Sequence, residues 1–266
     1  MWIDTHCHLD AHEFGGESLA VAGRAGDAGV GMIVIPAVDR HNFAVVAQLA
    51  SEAPNASYAL GIHPIYVPQA SEDDLAAMRK AVEAALADPR FVAVGEIGLD
   101  YFIPMLCEPA MREKQEYFFR EQLRVARDFD LPVLMHVRRS QDQVLKHVRQ
   151  VRPAGGIAHA FNGSFQQAQA FIDLGFKLGF GGAMTFTRAL QIRRLAATLP
   201  LDTIVLETDA PDISPAWIHP ARNSPEYLPA IGAMLAELRE VGVDEVRSAT
   251  GQAASAAMPR LPAILP

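Results

Sequence analysis

Cysteine is scarce in this sequence, and so is positive charge. The two cysteines, Cys7 and Cys107, cannot build a disulfide framework and do not form a C-x-x-C pair. The formal net charge is −8 at pH 7, whereas proteins that coat nucleic acid are basic over a broad surface. We therefore exclude a disulfide-rich scaffold and a broad nucleic-acid-coating surface. A small local binding site remains compatible with this composition.

Long apolar runs and a secretory signal are also missing. The most apolar stretch, 31–38, is far shorter than the ~20 residues that a membrane-spanning helix needs. The first residues pass at once into polar ones and lack the basic and apolar regions of a signal peptide. We expect a cytoplasmic protein without membrane association and without an obligate protein partner.

Short apolar runs alternate with longer amphipathic stretches along the whole chain. The apolar runs predict strands over 2–8, 31–37, 58–63, 91–96, 133–137, 156–161, 177–184 and 204–209. The other stretches predict helices over 17–28, 40–52, 72–87, 109–129, 140–150, 165–174, 187–198, 226–240 and 244–257. Strict alternation of this kind indicates a parallel sheet with helical crossovers.

The length decides between two parallel architectures. A (β/α)₈ barrel typically uses ~250 residues as one domain, and the chain has 266 residues. An open doubly wound sheet is the alternative, but the glycines at 179, 181 and 182 do not form the G-x-G-x-x-G pattern of a dinucleotide loop. We predict an α/β fold, a (β/α)₈ TIM barrel that forms a single domain over residues 1–266.

Metal-binding residue types stand at or near the ends of five predicted strands. In a parallel barrel, the carboxyl ends of the strands form one rim, which carries the active site. His6 and His8 end the first strand and, two residues apart, project to the same side. Glu96 ends the fourth strand after an apolar stripe, where a buried carboxylate needs a partner such as a cation. The remaining three strands contribute His136, His159 and Asp209.

These residues outnumber the ligands of a single catalytic zinc ion, which uses three protein ligands. A lone histidine is more often a structural residue, so the evidence lies in the convergence of four imidazoles and two carboxylates on one rim. Two divalent ions ~3.5–4 Å apart, bridged by a carboxylate and a water, fit this set better. Glu96, alone on its strand, is the natural bridge.

Six ordered motifs extend along nearly the whole chain. They are D-T-H-C-H-L-D at 4–10, G-I-H-P at 61–64, V-G-E-I-G-L-D at 94–100, L-P-V-L-M-H-V-R at 131–138, H-A-F-N-G-S at 159–164 and L-E-T-D-A-P at 206–211. Together they resemble the TatD family of metal-dependent deoxyribonucleases and hydrolases, within the amidohydrolase-like barrels. The resemblance implies that one ion is held by His6, His8, Glu96 and Asp209, and the other by Glu96, His136 and His159. The ions are expected to be Mg²⁺, Mn²⁺ or Zn²⁺.

The activity that this resemblance implies is metal-dependent hydrolysis of an ester bond. The expected substrate is DNA with an accessible end, cleaved exonucleolytically, or another phosphodiester. We expect Glu96, Asp209 and His63 to be catalytic, with Asp209 acting as a ligand, as a proton acceptor or as both. His63 could contact a phosphate, protonate the leaving oxygen, or serve a structural role before its proline.

Several rim residues are candidates for substrate contacts. Arg138 and Arg222 could bind phosphate, whereas Arg139 is expected to be a solvated arginine. Trp217 and Phe161 could stack a base or simply pack. Many members of the family carry R-N-E-P after the last strand, where this chain reads R-N-S-P at 222–225.

Some residues near the strand ends, and the remaining histidines, have mainly structural interpretations. Asp100 could orient a ligand, meet the substrate or cap a loop, and Glu207 could support a ligating histidine. Cys7 is expected to pack in the core. The histidines expected at the surface are His12, His41, His147 and His219.

Two other functions stay open. The first is hydrolysis of a small amide, ester, lactone or phosphoester, whose enzymes on this barrel often bridge their metals with a carboxylated lysine. The lysines are Lys80, Lys114, Lys146 and Lys177, and none ends a predicted strand. The second is a metal-binding interaction protein without catalysis, against which the complete ligand set argues.

Overall fold

The computed structural model of this chain describes residues 1–262, in which eight strands and nine α-helices alternate. The strands are β1 (Trp2–Asp4), β2 (Val30–Pro36), β3 (Ala56–Leu60), β4 (Phe91–Asp100), β5 (Val133–Arg138), β6 (Gly156–Ala158), β7 (Phe176–Phe180) and β8 (Ile204–Leu206). The helices are α1 (Ser18–Asp27), α2 (Phe43–Glu52), α3 (Glu72–Ala85), α4 (Pro109–Asp128), α5 (Gln141–Val151), α6 (Phe165–Asp173), α7 (Leu190–Thr198), α8 (Leu228–Arg239) and α9 (Val243–Ala257).

The strands lie side by side in chain order and pair in parallel throughout. The register places Leu60 opposite Val94, and Val94 opposite Val133. The backbone N–H of Thr5 donates to the carbonyl of Leu206 over 3.1 Å, which joins the first strand to the last. Because parallel neighbours need helical crossovers, this nearly closed sheet is covered by its helices. The predicted (β/α)₈ TIM barrel is confirmed.

Two apolar layers hold the barrel. On β2, Ile33 and Ile35 belong to the larger cluster between sheet and helices, whereas Met32 and Val34 belong to a smaller one. This smaller cluster collects residues from most of the strands and from α9, so it fills the barrel interior. Side-chain alternation along a strand produces the two layers. Among the helices within residues 1–262, none has the length and apolarity needed to cross a bilayer.

Several strands end earlier than the sequence predicts. The first ends at Asp4 rather than at residue 8, and the strands predicted to reach 161, 184 and 209 end at Ala158, Phe180 and Leu206. Ala160 and Asp209 have left-handed backbones, with φ of 44° and 54°, which takes the chain out of the sheet. Most of the metal-binding residue types therefore lie on the loops just beyond the strands.

The prediction that His147 lies at the surface is wrong. Its side chain is buried on α5, and its Nε2 lies 2.9 Å from a carboxylate oxygen of Glu116 on α4. The carboxylate satisfies the buried imidazole, which the apolar spacing of α5 did not reveal. Cys7 is buried in the larger apolar cluster, as expected.

Gly232 on α8 allows a close contact between this helix and the first strand. A Cβ added at this position would collide with the six-membered ring of Trp2, which is itself buried. We expect Gly232→Ala to lower the free energy of unfolding by about 1–3 kcal/mol through overpacking. Urea unfolding followed by circular dichroism measures this change.

The matched control is Gly23→Ala on the exposed side of α1, where an added Cβ meets nothing within 4 Å. There the substitution should stabilise the protein by about 0.4–1 kcal/mol. Equal effects of the two substitutions would contradict the close α8–Trp2 contact.

Candidate metal centre

The side chain of Glu96 lies at the centre of the carboxyl-terminal rim. Glu96 is on β4, whose ten residues are all buried, and its side chain is 1% exposed. Its two carboxylate oxygens face two different groups of imidazoles. A buried carboxylate of this kind costs free energy unless positive charge compensates it.

The first group faces Oε2 of Glu96. The Nε2 atoms of His6 and His8 lie 3.1 and 3.3 Å from this oxygen. Both nitrogens are also 3.7 Å from Oδ1 of Asp209. The loop after β1 and the loop after β8 thus bring three ligand-type side chains to one side of Glu96.

The second group faces Oε1 of Glu96. The Nδ1 of His136 lies 2.9 Å from this oxygen, the Nε2 of His159 lies 2.8 Å from it, and the Nε2 of His63 lies 3.3 Å from it. All of the catalytic and metal-binding residue types named from the sequence therefore meet at one centre. The structure adds that Glu96 separates them into two groups.

Asp4 ties together the two loops of the first group. Its buried carboxylate accepts hydrogen bonds from the backbone N–H and the hydroxyl of Thr208, over 2.9 and 2.6 Å, and from the backbone N–H of His6 over 3.3 Å. The backbone N–H of Asp209 in turn donates to the carbonyl of His6 over 2.8 Å. These bonds fix His6 and Asp209 relative to each other.

Asp100 orients His136. One carboxylate oxygen lies 3.1 Å from Nε2 of His136, so that Nδ1 is the nitrogen that faces Glu96. The other oxygen accepts the backbone N–H groups of Phe102 and Ile103, over 2.8 and 3.1 Å. The sequence left several roles open for Asp100. Its contacts show that it orients His136 and caps the loop after β4.

Glu207 lies on the far side of His159. Its Oε1 is 3.8 Å from Nδ1 of His159 and accepts the backbone N–H of Ala160. An added Cβ at Gly179 would overlap this carboxylate, so only glycine leaves room for it. The negative charge favours a proton on Nδ1 of His159, so that Nε2 is the nitrogen that faces Glu96.

Burial and charge act in opposite directions on the pKa values of the imidazoles. Burial lowers the pKa of His6 to about 3 and that of His63 to about 4. Burial also opposes protonation of His8, but the carboxylates of Glu96 and Asp209 outweigh it and raise its pKa to about 9. The pKa of His159 is raised well above its usual range, since the charges of Glu96 and Glu207 outweigh burial.

The pKa values of the carboxyl groups of Asp209 and Glu96 are also shifted, in opposite directions. Burial raises the pKa of Asp209 to about 6. Burial raises the pKa of Glu96 as well, but the surrounding imidazoles of His63, His159 and His6 outweigh it and bring its pKa well below the usual range. Protons held by the imidazoles thus supply the positive charge that the buried carboxylates require.

The donor set fits divalent metal ions. Three groups, each with ligand atoms within 4.8 Å of one another, combine His6, His8 and Asp209; His6, Glu96 and His159; and His63, Glu96 and His136. Nδ1 of His136 also lies 3.1 Å from Nε2 of His63 and 3.3 Å from Nε2 of His159. Neighbouring imidazole nitrogens without enough protons between them repel each other, and a cation relieves this repulsion.

The residues predicted to contact substrate lie further from Glu96. Arg138 is half exposed, with its guanidinium 3.8 Å from Asp100. Arg222 donates to the carbonyl of Glu13 over 2.9 Å. Of the two aromatic residues considered for base stacking, Phe161 is buried and cannot contact a base, whereas Trp217 is exposed.

Almost the entire described chain matches a known protein family. The model of the family described as "TatD related DNase" matches residues 3–258. The uncharacterised metal-dependent hydrolase YjjV of Escherichia coli (strain K12) is 41% identical over 249 residues, which are 93% of this chain and 94% of that protein.

A protein named as a nuclease is a more distant relative. The 3'-5' ssDNA/RNA exonuclease TatD of Erwinia billingiae is 30% identical over 245 residues, which are 89% of this chain and 91% of that protein. Among solved structures, that of YjjV, a TatD homologue from Escherichia coli K12, matches with a TM-score of 0.91 at 39% identity. It covers 97% of this chain and 98% of that chain.

We expect Glu207→Gln to weaken metal binding by about 10–100-fold, since it removes the charge that sets the His159 tautomer. Isothermal titration of the metal-free protein with Mn²⁺ or Zn²⁺ measures this affinity without relying on activity. Glu83→Gln, the same change on the exposed side of α3, is the control. Equal affinities of the two variants would show that Glu207 does not support the centre.

Metal binding should also release protons. Below its pKa of about 9, His8 carries a proton that a metal ion must displace. Affinity is therefore expected to rise from pH 6 to pH 9, by about tenfold per pH unit for each proton displaced. Titrations in buffers of different ionisation enthalpy count these protons, and His8→Gln should release fewer. An affinity that stays constant across this range would refute the expectation.

Proposed function

Because the chain belongs to the family of TatD-related DNases, we propose that it is a divalent-metal-dependent hydrolase that cleaves phosphodiester bonds of DNA from an accessible end. The division of the imidazoles between the two oxygens of Glu96 carries this proposal. A carboxylate that faces a ligand group with each oxygen is suited to bridge two ions.

The two ions would be Mg²⁺, Mn²⁺ or Zn²⁺, and they would share Glu96. The ligands proposed for the first ion are His6, His8, Glu96 and Asp209, and those proposed for the second are Glu96, His136 and His159. When bound, the ions would acidify a water and neutralise charge on the phosphate. The surrounding side chains would accept the proton, hold Glu96 in place and bind the substrate.

Asp209 is the proposed proton acceptor. In the metal-free protein, burial raises its pKa to about 6, so its carboxylate is ionised at neutral pH and able to accept a proton. An acceptor whose pKa lies near the working pH is the more effective one. The carboxylate of Asp209 can also serve as a ligand of the first ion, since its Oδ1 is 3.7 Å from the Nε2 atoms of both His6 and His8.

His63 is proposed to hold Glu96 in place. Its Nδ1 accepts the backbone N–H of Ile65 over 3.1 Å, which puts the proton of the neutral ring on Nε2, facing Oε1 of Glu96 at 3.3 Å. Burial lowers its pKa to about 4, so the ring is neutral at pH 7. These contacts favour a positioning role over protonation of the leaving oxygen.

The arginines are proposed to contact phosphate groups of the substrate. Arg138 is the last residue of β5, and its half-exposed guanidinium has N–H groups free for a phosphate beside the centre. Arg222 donates one N–H to Glu13 and keeps others exposed. The name of the Erwinia relative, a 3'-5' ssDNA/RNA exonuclease, supports a single-stranded substrate.

We expect single-stranded DNA labelled at one end to be shortened stepwise by the protein with Mn²⁺ or Mg²⁺. Glu96→Ala and Asp209→Asn should each lower the rate by about 10³-fold or more, because the metal contribution amounts to several kcal/mol. EDTA should abolish activity, and excess metal should restore it. Glu83→Ala, on the exposed side of α3, is the matched control and should keep the full rate.

Two outcomes would change this conclusion. An undiminished rate in EDTA, with metal loss verified by elemental analysis, would exclude a metal-dependent mechanism. Hydrolysis of a small phosphodiester, ester or lactone by metal-loaded protein, without cleavage of DNA, would move the function to a small-molecule hydrolase.

A further inference from the structure

An exposed aromatic ring lies beside the metal centre and carries two guanidinium groups. Phe102 follows the end of β4, and 44% of its surface is exposed. The guanidinium carbon of Arg138 is 3.8 Å from the centroid of its ring, and that of Arg139 is 4.6 Å from it. Cation–aromatic contacts at this distance are attractive even in water. None of the sequence motifs pointed to Phe102.

This ring is connected to the metal centre through one carboxylate. Asp100 accepts the backbone N–H of Phe102 over 2.8 Å with one oxygen and lies 3.1 Å from Nε2 of His136 with the other. The guanidinium of Arg138 is 3.8 Å from that second oxygen. The position of Phe102 is therefore coupled to that of His136.

The two loops that carry these side chains are bonded to each other. The backbone N–H of Tyr101 donates to the carbonyl of Arg138 over 2.8 Å, and the hydroxyl of Ser140 donates to the carbonyl of Leu99 over 2.7 Å. Ser140 is itself buried. The ring and both arginines thus stand on a fixed frame at the ends of two paired strands.

The backbone of Arg139 accounts for the pairing of both arginines with one ring. Successive residues of a strand project to opposite sides, so Arg138 and Arg139 would point apart if β5 continued. Arg139 instead has a left-handed backbone with φ of 55°, which few residues other than glycine adopt. This turn brings the second guanidinium to the same ring as the first.

The arginines make a local positive surface on an acidic chain. The net charge of the chain is −8, yet among the ion pairs of the described residues Arg139 has none and Arg138 has only Asp100. Exposed aromatic rings and guanidinium planes can each stack a nucleobase, and free guanidinium N–H groups bind phosphate. Bases paired inside a duplex cannot reach such a surface.

We infer that Phe102, Arg138 and Arg139 form a subsite for an unpaired nucleotide next to the phosphodiester that is cleaved. The inference rests on the proposed function and deepens it, since it names the side chains that would hold the nucleotide beside the reacting phosphate. Arg139, expected from the sequence to be only solvated, belongs to this subsite.

The test compares three substrates in steady-state kinetics with Mn²⁺. They are a single-stranded oligonucleotide, the same sequence as a blunt duplex, and methyl 4-nitrophenyl phosphate, a phosphodiester without a nucleobase. Phe102→Ala should raise KM for the single strand by about tenfold. Its loss of kcat/KM on the single strand should exceed its loss on methyl 4-nitrophenyl phosphate by a similar factor.

A second variant and a control protect the test from folding effects. Arg139→Gln replaces an exposed side chain without an ion pair and should also raise KM for the single strand. Met105→Ala, three residues beyond Phe102 and 59% exposed, removes an apolar side chain that has no guanidinium over it and should leave KM unchanged. Fluorescence anisotropy of a labelled single strand in EDTA gives the same comparison without turnover.

The outcomes separate this inference from the proposed function. If the wild-type protein degrades DNA and both Phe102→Ala and Arg139→Gln have the wild-type KM, the subsite is wrong but the proposed function stands. Equal kcat/KM values for the single strand and the blunt duplex would have the same meaning. Wild-type protein that hydrolyses methyl 4-nitrophenyl phosphate but neither DNA would overturn the proposed substrate.

Discussion

The buried carboxylate of Glu96 sets the chemistry of this protein. It stands on a strand whose residues are all buried, so water cannot compensate its charge, and the surrounding loops must supply positive charge or metal ions. Five imidazoles lie within 3.3 Å of its two oxygens. Without a metal, protons on these rings balance the charge, and a metal ion would replace those protons. Protonation of the imidazoles and metal binding therefore meet the same requirement, which is positive charge beside Glu96.

Three further buried carboxylates each serve a different purpose around this centre. Asp4 holds the backbone of the loops that carry His6 and Asp209, whereas Asp100 and Glu207 face individual histidines. Carboxylates behind ligating histidines fix the ring orientation and raise its basicity. Each burial costs free energy, and the apolar layers of the barrel supply the stability that keeps these groups in place.

The charge of the whole chain and the chemistry of its rim are separable properties. An acidic protein repels a polyanion at long range, but this repulsion is screened beyond about 10 Å at moderate ionic strength. Contacts at the rim act over much shorter distances, as the two arginines on the ring of Phe102 show. A locally basic aromatic surface on an acidic body fits the proposed binding of one nucleic-acid end better than the coating of a duplex.

The sequence by itself determined the barrel and the residue types at its centre, because strand periodicity, helix spacing and the residues that follow apolar runs are local properties. Parallel strands in chain order then oblige His6, Glu96 and Asp209 to meet at one rim. Only the tertiary structure decided which oxygen of Glu96 faces which imidazole, that His147 is buried, and that Phe102 carries two arginines. These depend on where each strand stops and on left-handed residues such as Arg139, since the direction of a side chain beyond a strand follows from loop backbone angles and packing that no local pattern encodes.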